Sequence, residues 1–596
     1  MRPITLLAVA LVLAATTGEA VSQNQSRPVP YPVFETPQFQ RAVEAGTRSR
    51  DGNPGSQYWM NEARYDMDVT LTPESRSLDG TSTIVYKNNS PDHLYRIVVN
   101  LYQNLYKKGE TRNRNVVPND GMNLSCALVD GSPIVEALTP REPGYVYYGT
   151  KAIIVLPEPV TPGGSVELRF CWDFEVPDPE NRIRMGTDGE VFFLGYWYPQ
   201  VAVYDDVTSV PNQYSGWDFD RYMGDGEFYM DYADYDVRIT VPNGWLVPAT
   251  GTLENADEIL SQEARDLLKQ AEYSPDVVHV VTDSTRDGAL LTNPAGLATW
   301  HFKAENVRDF AFAASDRYVW DATYALVGDS AGYGGSDRAM IYAFYRSDAA
   351  SWARSAEFAK FSIEHMSRQI MPYPWPHMTT VEGIIRGGME YPMMTLIGGN
   401  RPERALFGVT YHELAHMWFP MIVGQNEKAY TWMDEGLTSF NTNEGHFDFW
   451  PDTTVWDPDR QAYFGIAGSG LEVESMRHAD QYPYGTNARG MASYGKPALM
   501  LHTLRGLVGN DRFYEAYREY ARRWAFKHPT PYDLFNTFED VLGTDLDWFW
   551  RPAFYETWTL DQEILAVDSE ETGITVTIRD NGLTPLPAPV VVTYAD

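Results

Sequence analysis

Tyr411-His412-Glu413-Leu414-Ala415-His416, followed nineteen positions after His416 by Glu435 in Trp432-Met433-Asp434-Glu435-Gly436, decides how the rest of the chain is read. Imidazoles four residues apart on a helix lie about 40° apart around its axis, so both can turn a ring nitrogen to one ion. Two histidines and one carboxylate, with a position left for water, are the donor set of a catalytic zinc. One Zn2+ per chain is therefore expected on His412, His416 and Glu435. Glu413, next to the first ligand, is placed to take a proton from that water. Arg404 to Met421 carries apolar residues at helical spacing (Leu406, Val409, Leu414, Met417, Trp418) and is expected to be helical until Pro420. A second helix from about Asp434 would hold Glu435 in its first turn, where the helix dipole favours a carboxylate.

The 596 residues are too many for one core, and 43% hydrophobic with 14% aromatic content is ample for globular packing. A formal charge of −34, from 81 acidic and 47 basic side chains, argues against nucleic acid or an anionic membrane as a partner. Arg2, the apolar run Ile4 to Ala15 and the small-residue ending Gly18-Glu19-Ala20 have the layout of a signal peptide over 1–20. The run is short for a bilayer span, so no stable membrane anchor is expected, and the mature chain would be exported to a periplasmic or extracellular space. There Cys126 and Cys171, the only cysteines, are free to pair or to remain thiols.

Residues 21–55, rich in Pro, Gln, Ser and Gly, read as an extended linker or strap. Strand signals follow. Tyr65, Met67, Val69 and Leu71 alternate with polar residues, as do Val166, Leu168, Phe170, Trp172 and Phe174, and turn clusters such as Ser90-Pro91-Asp92 separate the strands. Residues 56–317 are thus an N-terminal, mostly antiparallel β domain. The texture then turns helical, with Ala349 to Ile370 as one helix and residues 318–562 as a second domain. Within it Met378 to Ile397 is strand-like, interrupted by Arg386-Gly387-Gly388-Met389-Glu390-Tyr391-Pro392. A strand beside a metal helix is where an extended peptide could add itself, and adjacent glycines suit close backbone approach. In 563–596, Ile574, Val576 and Ile578 alternate, Asn581-Gly582 signals a hairpin turn, and Val590 to Tyr594 reads as the partner strand.

The set His412-Glu413-Leu414-Ala415-His416, Glu435 in Trp-Met-Asp-Glu-Gly, Gly387-Gly388-Met389-Glu390-Tyr391 and Tyr494 resembles the M1 family of zinc metallopeptidases, the gluzincin aminopeptidases. Gly195-Tyr196-Trp197-Tyr198-Pro199 and Val307-Arg308-Asp309-Phe310-Ala311 resemble stretches of that family's β saddle. The resemblance implies an α+β multidomain fold: an N-terminal antiparallel β saddle, a thermolysin-like, mainly helical catalytic domain and an incomplete C-terminal β segment. It implies an aminopeptidase that hydrolyses the N-terminal peptide bond of peptides with a free amine, taken as a monomer. Glu413 would be the general base, Tyr494 the stabiliser of the oxyanion, and Glu390, within the substrate-binding stretch Gly387, Gly388, Met389 and Glu390, the anchor for the α-ammonium. A zinc endopeptidase of the same fold, or a non-enzymatic peptide-binding protein on a retired peptidase fold, are the alternatives.

Three features depart from the family pattern. Tyr391 stands where the family has asparagine. The saddle stretch Leu194 to Trp197 has no amide or carboxylate to offer the amine, and Gln200 nearby is not assigned. The family's C-terminal helical domain is not seen in the sequence.

Overall fold

A computed structural model describes residues 32–177, 183–208, 215–328, 336–399, 401–451, 454–570 and 573–591. The expected signal peptide, part of the strap and residues 592–594 of the expected final strand lie outside these. The chain divides into two compact units, Pro32–Thr557 and one that includes the C-terminal Trp558–Asp596.

The saddle is built on an eight-stranded sheet in the order Thr252–Leu253, Leu297–Val307, Ala233–Pro242, Glu62–Thr72, Ser77–Lys87, Ser165–Glu175, Asn123–Val129, Ser132–Pro133. It is antiparallel except for one parallel pair, Glu62–Thr72 against Ala233–Pro242, in keeping with a mostly antiparallel domain. The alternation read from sequence holds: Tyr65, Met67, Val69 and Leu71 are buried, as are Val166, Leu168, Phe170, Trp172 and Phe174. Cys171 lies on the opposite face, in register with Cys126 on the neighbouring strand, and the two form a disulfide.

A six-stranded sheet carries the second half: Val278–Val281, Tyr318–Leu326, Arg338–Arg346, His377–Glu382, Met394–Ile397, Gly388–Tyr391. Its first strand precedes the boundary expected near residue 317; four residues of Val-His-Val-Val carry too little pattern to betray which sheet they join. Gly388–Tyr391 is the edge strand, antiparallel to Met394–Ile397. Helices Ser355–Gln369, Glu403–Ala415, Leu437–Phe449, Lys496–Val508, Asn510–Trp524 and Pro531–Leu542 follow or cover it. Among the described residues no helix is long and apolar enough to cross a membrane.

The strap is not featureless. Thr36 caps the helix Pro37–Ala45, Pro37 opens it and Gly46, at φ 78°, closes it in the left-handed region. Behind it Arg48 is fully buried, donating to Asp206 at 2.8 and 2.5 Å and to Asp533 at 2.7 Å beneath the ring of Trp524. One guanidinium thus joins the strap, the saddle and the helical layer.

In the C-terminal unit Gly573–Asp580 pairs with Gln562–Glu570, and Val590 and Val591, the described residues of the expected partner strand, belong to no strand. Asn581 and Gly582 instead donate to the Asp561 carbonyl at the ribbon's open end. A register shift between Ile564 and Ala566 breaks the alternation of Gln562–Glu570, which is why its sequence hides the strand.

Candidate active site

The metal helix Glu403–Ala415 ends sooner than its apolar spacing suggests. His416 caps it, and the tight turn Met417–Ile422 departs from helical geometry at Phe419, the residue before Pro420. The break has a use: it swings the Phe419 carbonyl to 3.0 Å from His416 Nδ1. His412 Nδ1 lies 3.2 Å from Thr442 Oγ1, whose own proton goes to the Thr438 carbonyl at 2.8 Å. The threonine oxygen must therefore accept from His412. With Nδ1 of each ring facing an acceptor, the two Nε2 atoms, turned toward one another, are the ones left to bind an ion.

Glu435 arrives from the turn Trp432–Gly436, which runs straight into Leu437–Phe449. Its Oε2 stands 3.1 Å from His412 Nε2 and 3.5 Å from His416 Nε2, and the two nitrogens are 3.2 Å apart. Ligand bonds of about 2.1 Å at tetrahedral angles put donors roughly 3.4 Å apart, so these three stand near the corners a zinc ion requires. Burial alone would raise the Glu435 carboxyl, but the two imidazoles outweigh it and hold it well below the usual range. Tyr494 donates its hydroxyl to Glu435 and stacks on the His412 ring, with centroids 6.1 Å apart.

Glu413 is buried, with Oε2 lacking a hydrogen-bond partner, and its carboxyl is pushed up to about 8, first by burial and then by Glu435 and Glu227 against the pull of His416. Gly388 touches it: a Cβ there would fall 2.1 Å from Glu413 Oε1. Gly387 is open by contrast, and its carbonyl accepts from the Gly398 amide at 2.8 Å. Met389 is buried against Arg184, which donates to its sulfur at 3.0 Å. Glu390 is buried in the edge strand with Oε1 unpartnered, and one of its oxygens lies within 4.8 Å of donor atoms of both His416 and Asp434. Burial, with Glu227, Glu413 and Glu435 nearby, raises its carboxyl well above the usual range against the pull of His416. The outer edge of Gly388–Tyr391 has no strand partner among the described residues.

Two carboxylates missed from sequence complete the site. Asp434, fully buried, has Oδ1 2.8 Å from His416 Nδ1, although neither of its oxygens makes an aligned hydrogen bond. It lay inside a motif read only for its neighbour. Glu227 reaches in from the saddle, with donor atoms of Glu227, Asp434 and Glu435 within 4.8 Å of one another. Its signal was slight, a glutamate in Gly224-Asp225-Gly226-Glu227 remote from every motif. Gln200 faces elsewhere, donating to the Arg308 carbonyl.

Residues 355–553 match the family model described as the peptidase family M1 domain. The chain carries an M1 peptidase domain. Among curated relatives, the chain is 24% identical over 160 residues to leucyl aminopeptidase of Saccharolobus solfataricus, covering 24% of this chain and 20% of that protein. To endoplasmic reticulum aminopeptidase 1 of Mus musculus it is 26% identical over 200 residues, 29% of this chain and 20% of the relative. The matched region spans about a fifth of the length of these curated relatives. Among solved structures, the M1 zinc metallopeptidase of Deinococcus radiodurans is 18% identical, with a TM-score of 0.55, covering 84% of this chain and 96% of that one. At that identity the likeness concerns the fold, in which the M1 domain and the β saddle occur together.

Proposed function

We propose that the chain is a zinc-dependent aminopeptidase that removes single residues from the free N-termini of peptides. One observation carries the reading: two buried carboxylates with unpartnered oxygens, Glu390 and Glu227, stand beside the His412–His416–Glu435 triad. Buried carboxylates are costly unless cations complete them, and Arg184 meets Glu227 only through Oε1. A substrate ammonium meets that need and sets the first peptide bond at the metal, since only a chain end brings a charge so close.

When bound by His412, His416 and Glu435, zinc supplies the Lewis acidity that makes water a nucleophile near neutral pH. The chain's own residues do the rest. The free edge of Gly388–Tyr391 takes the substrate as an added strand. Glu390 and Glu227 hold its ammonium. Glu413 accepts the proton of the attacking water and passes it to the departing amine. Tyr494 turns its hydroxyl from Glu435 to the developing oxyanion.

Export belongs to the same reading, supported by the arrangement of residues 1–20 and by the Cys126–Cys171 disulfide, which suits an oxidising compartment.

The test uses Glu390→Ala on a free aminoacyl anilide and on its N-acetylated counterpart. Loss of the preference for the free amine is expected. An unchanged preference refutes the anchor, and cleavage of blocked peptides by the parent chain would make it an endopeptidase.

A further inference from the structure

Two of the departures noted in the sequence touch each other. Gly195, in the saddle stretch that lacks a polar side chain, packs on Tyr391, which replaces the family's asparagine: a Cβ at Gly195 would fall 2.3 Å from the tyrosine ring and 2.5 Å from its hydroxyl. The ring fills what a side chain at 195 would occupy, flanked by Phe193 and Tyr196 with centroids 5.1 and 5.2 Å away. From there the hydroxyl donates to the Arg184 carbonyl. Arg184 has φ 65°, a left-handed conformation that needs outside support in a residue other than glycine. Its guanidinium donates to Glu227 Oε1 at 2.5 Å and to the carbonyls of Asp225 and Gly226 at 3.2 and 3.4 Å, and lies over the Phe228 ring. Glu227 Oε2 is left buried and unpartnered beside the metal triad.

We propose that Tyr391 and Arg184 are positioning residues that aim Glu227 at the substrate's amine, and that Gly195 is required because the Tyr391 ring must occupy its place. The amine-reading carboxylate is supplied by a loop instead of the saddle stretch at 194–197, and the bulk gained at 391 offsets the side chain absent at 195. The proposal rests on the aminopeptidase reading above.

The experiment compares full-length, zinc-loaded variants by KM, kcat and the inhibition constants of leucine hydroxamate and its des-amino analogue. Their ratio isolates recognition of the amine. Tyr391→Phe removes one hydrogen bond and is expected to raise KM and narrow the ratio by roughly three- to tenfold, with kcat within about twofold. Glu227→Gln should narrow it by at least as much, since it removes the charge itself. Gly195→Gln alone should fail to yield active protein, and Gly195→Gln with Tyr391→Asn should restore it.

If Glu227→Gln narrows the ratio and Tyr391→Phe does not, or if Tyr391→Phe weakens both inhibitors equally, the relay is wrong while the amine reading stands. If Glu227→Gln leaves the ratio unchanged, Glu227 does not read the amine and both fail. Activity of Gly195→Gln equal to the parent's would overturn the packing argument. Should Tyr391→Phe not fold, Arg184→Lys, which loosens the grip on 225–227 while keeping the charge, reads the same ratio with the same outcomes.

Discussion

Gly388→Ala adds one methyl group to the molecule and should nearly silence it. The new Cβ would lie 2.1 Å from Glu413 Oε1, 2.3 Å from its Cδ and 2.5 Å from its Cγ. Non-bonded atoms rest at about 3.5 Å, so either the strand or the carboxylate must retreat by more than 1 Å. Gly388 is tied into the sheet through its pairing with Ile397, whereas Glu413 is a side chain with rotatable bonds. The carboxylate is therefore the part that gives way. Gly388 does not have the left-handed φ that would itself forbid alanine, so the backbone tolerates the change. A general base contributes roughly 10²–10⁴ to rate, and a displacement of about 1 Å can cost about a hundredfold. The expected result is a fall in kcat of about a hundredfold, with folding by circular dichroism and bound zinc by elemental analysis both unchanged, because Glu413 is not a ligand. A variant whose kcat stays within threefold of the parent's would refute the assignment of Glu413 as the base held against Gly388.

Two further outcomes are expected. Asp434→Asn should weaken zinc binding roughly 10- to 100-fold, read by competition with a chelating dye, because the anion 2.8 Å from His416 Nδ1 is removed while shape is kept; affinity within threefold of the parent's would mean that Asp434 does not support the ligand. Asp309 offers a pH test away from the metal: burial raises its carboxyl from 3.8 to about 6, although Tyr198 and the Phe310 amide donate to it. The folded chain keeps a proton there that the unfolded chain gives up, so this group's contribution to stability falls as pH rises from about 4 to 6, by about 3 kcal/mol in full. Asp309→Asn should lack that decline, and thermal melts of the two proteins at pH 4.5 and pH 7 that move in parallel would count against it.

Most of what was legible in the sequence sits on one continuous segment, whereas Glu435 was found by the third donor a zinc site requires. His412, Glu413 and His416 share a helix, and the alternation of Tyr65 to Leu71 is a single strand's, so period alone reports which side chains lie together. The role expected of Glu390 depended on a family resemblance; the structure puts the residue in an edge strand. The parts missed were set by other means. The early end of the metal helix follows from local sterics at Phe419-Pro420, against the pull of an apolar pattern that continues to Met421. The ribbon's partner was hidden by a register shift. The helix Pro37–Ala45 was missed because nine residues between a Thr-Pro start and a Gly stop are less than three turns, too few for periodicity to register above the Pro and Gly around them.

Glu227 is a different kind of omission. No local pattern announces a carboxylate whose role depends on residues 43 positions back and 163 positions ahead, at Arg184 and Glu390. Its place follows from electrostatics instead. Glu227, Glu390, Glu413, Asp434 and Glu435 converge on two histidines, and Arg184 is the cation that pairs with one of them, through Glu227. Burying so many anions together is unfavourable by several kcal/mol apiece unless positive charge is supplied. Arg184 answers for one charge, and a divalent ion and a substrate ammonium would answer for three more. That near balance ties the metal to the peptide's free end: a substrate without the ammonium leaves Glu390 uncompensated and Glu227 with Arg184 alone, so selection for the chain end follows from the desolvation of acids as much as from the shape of a pocket.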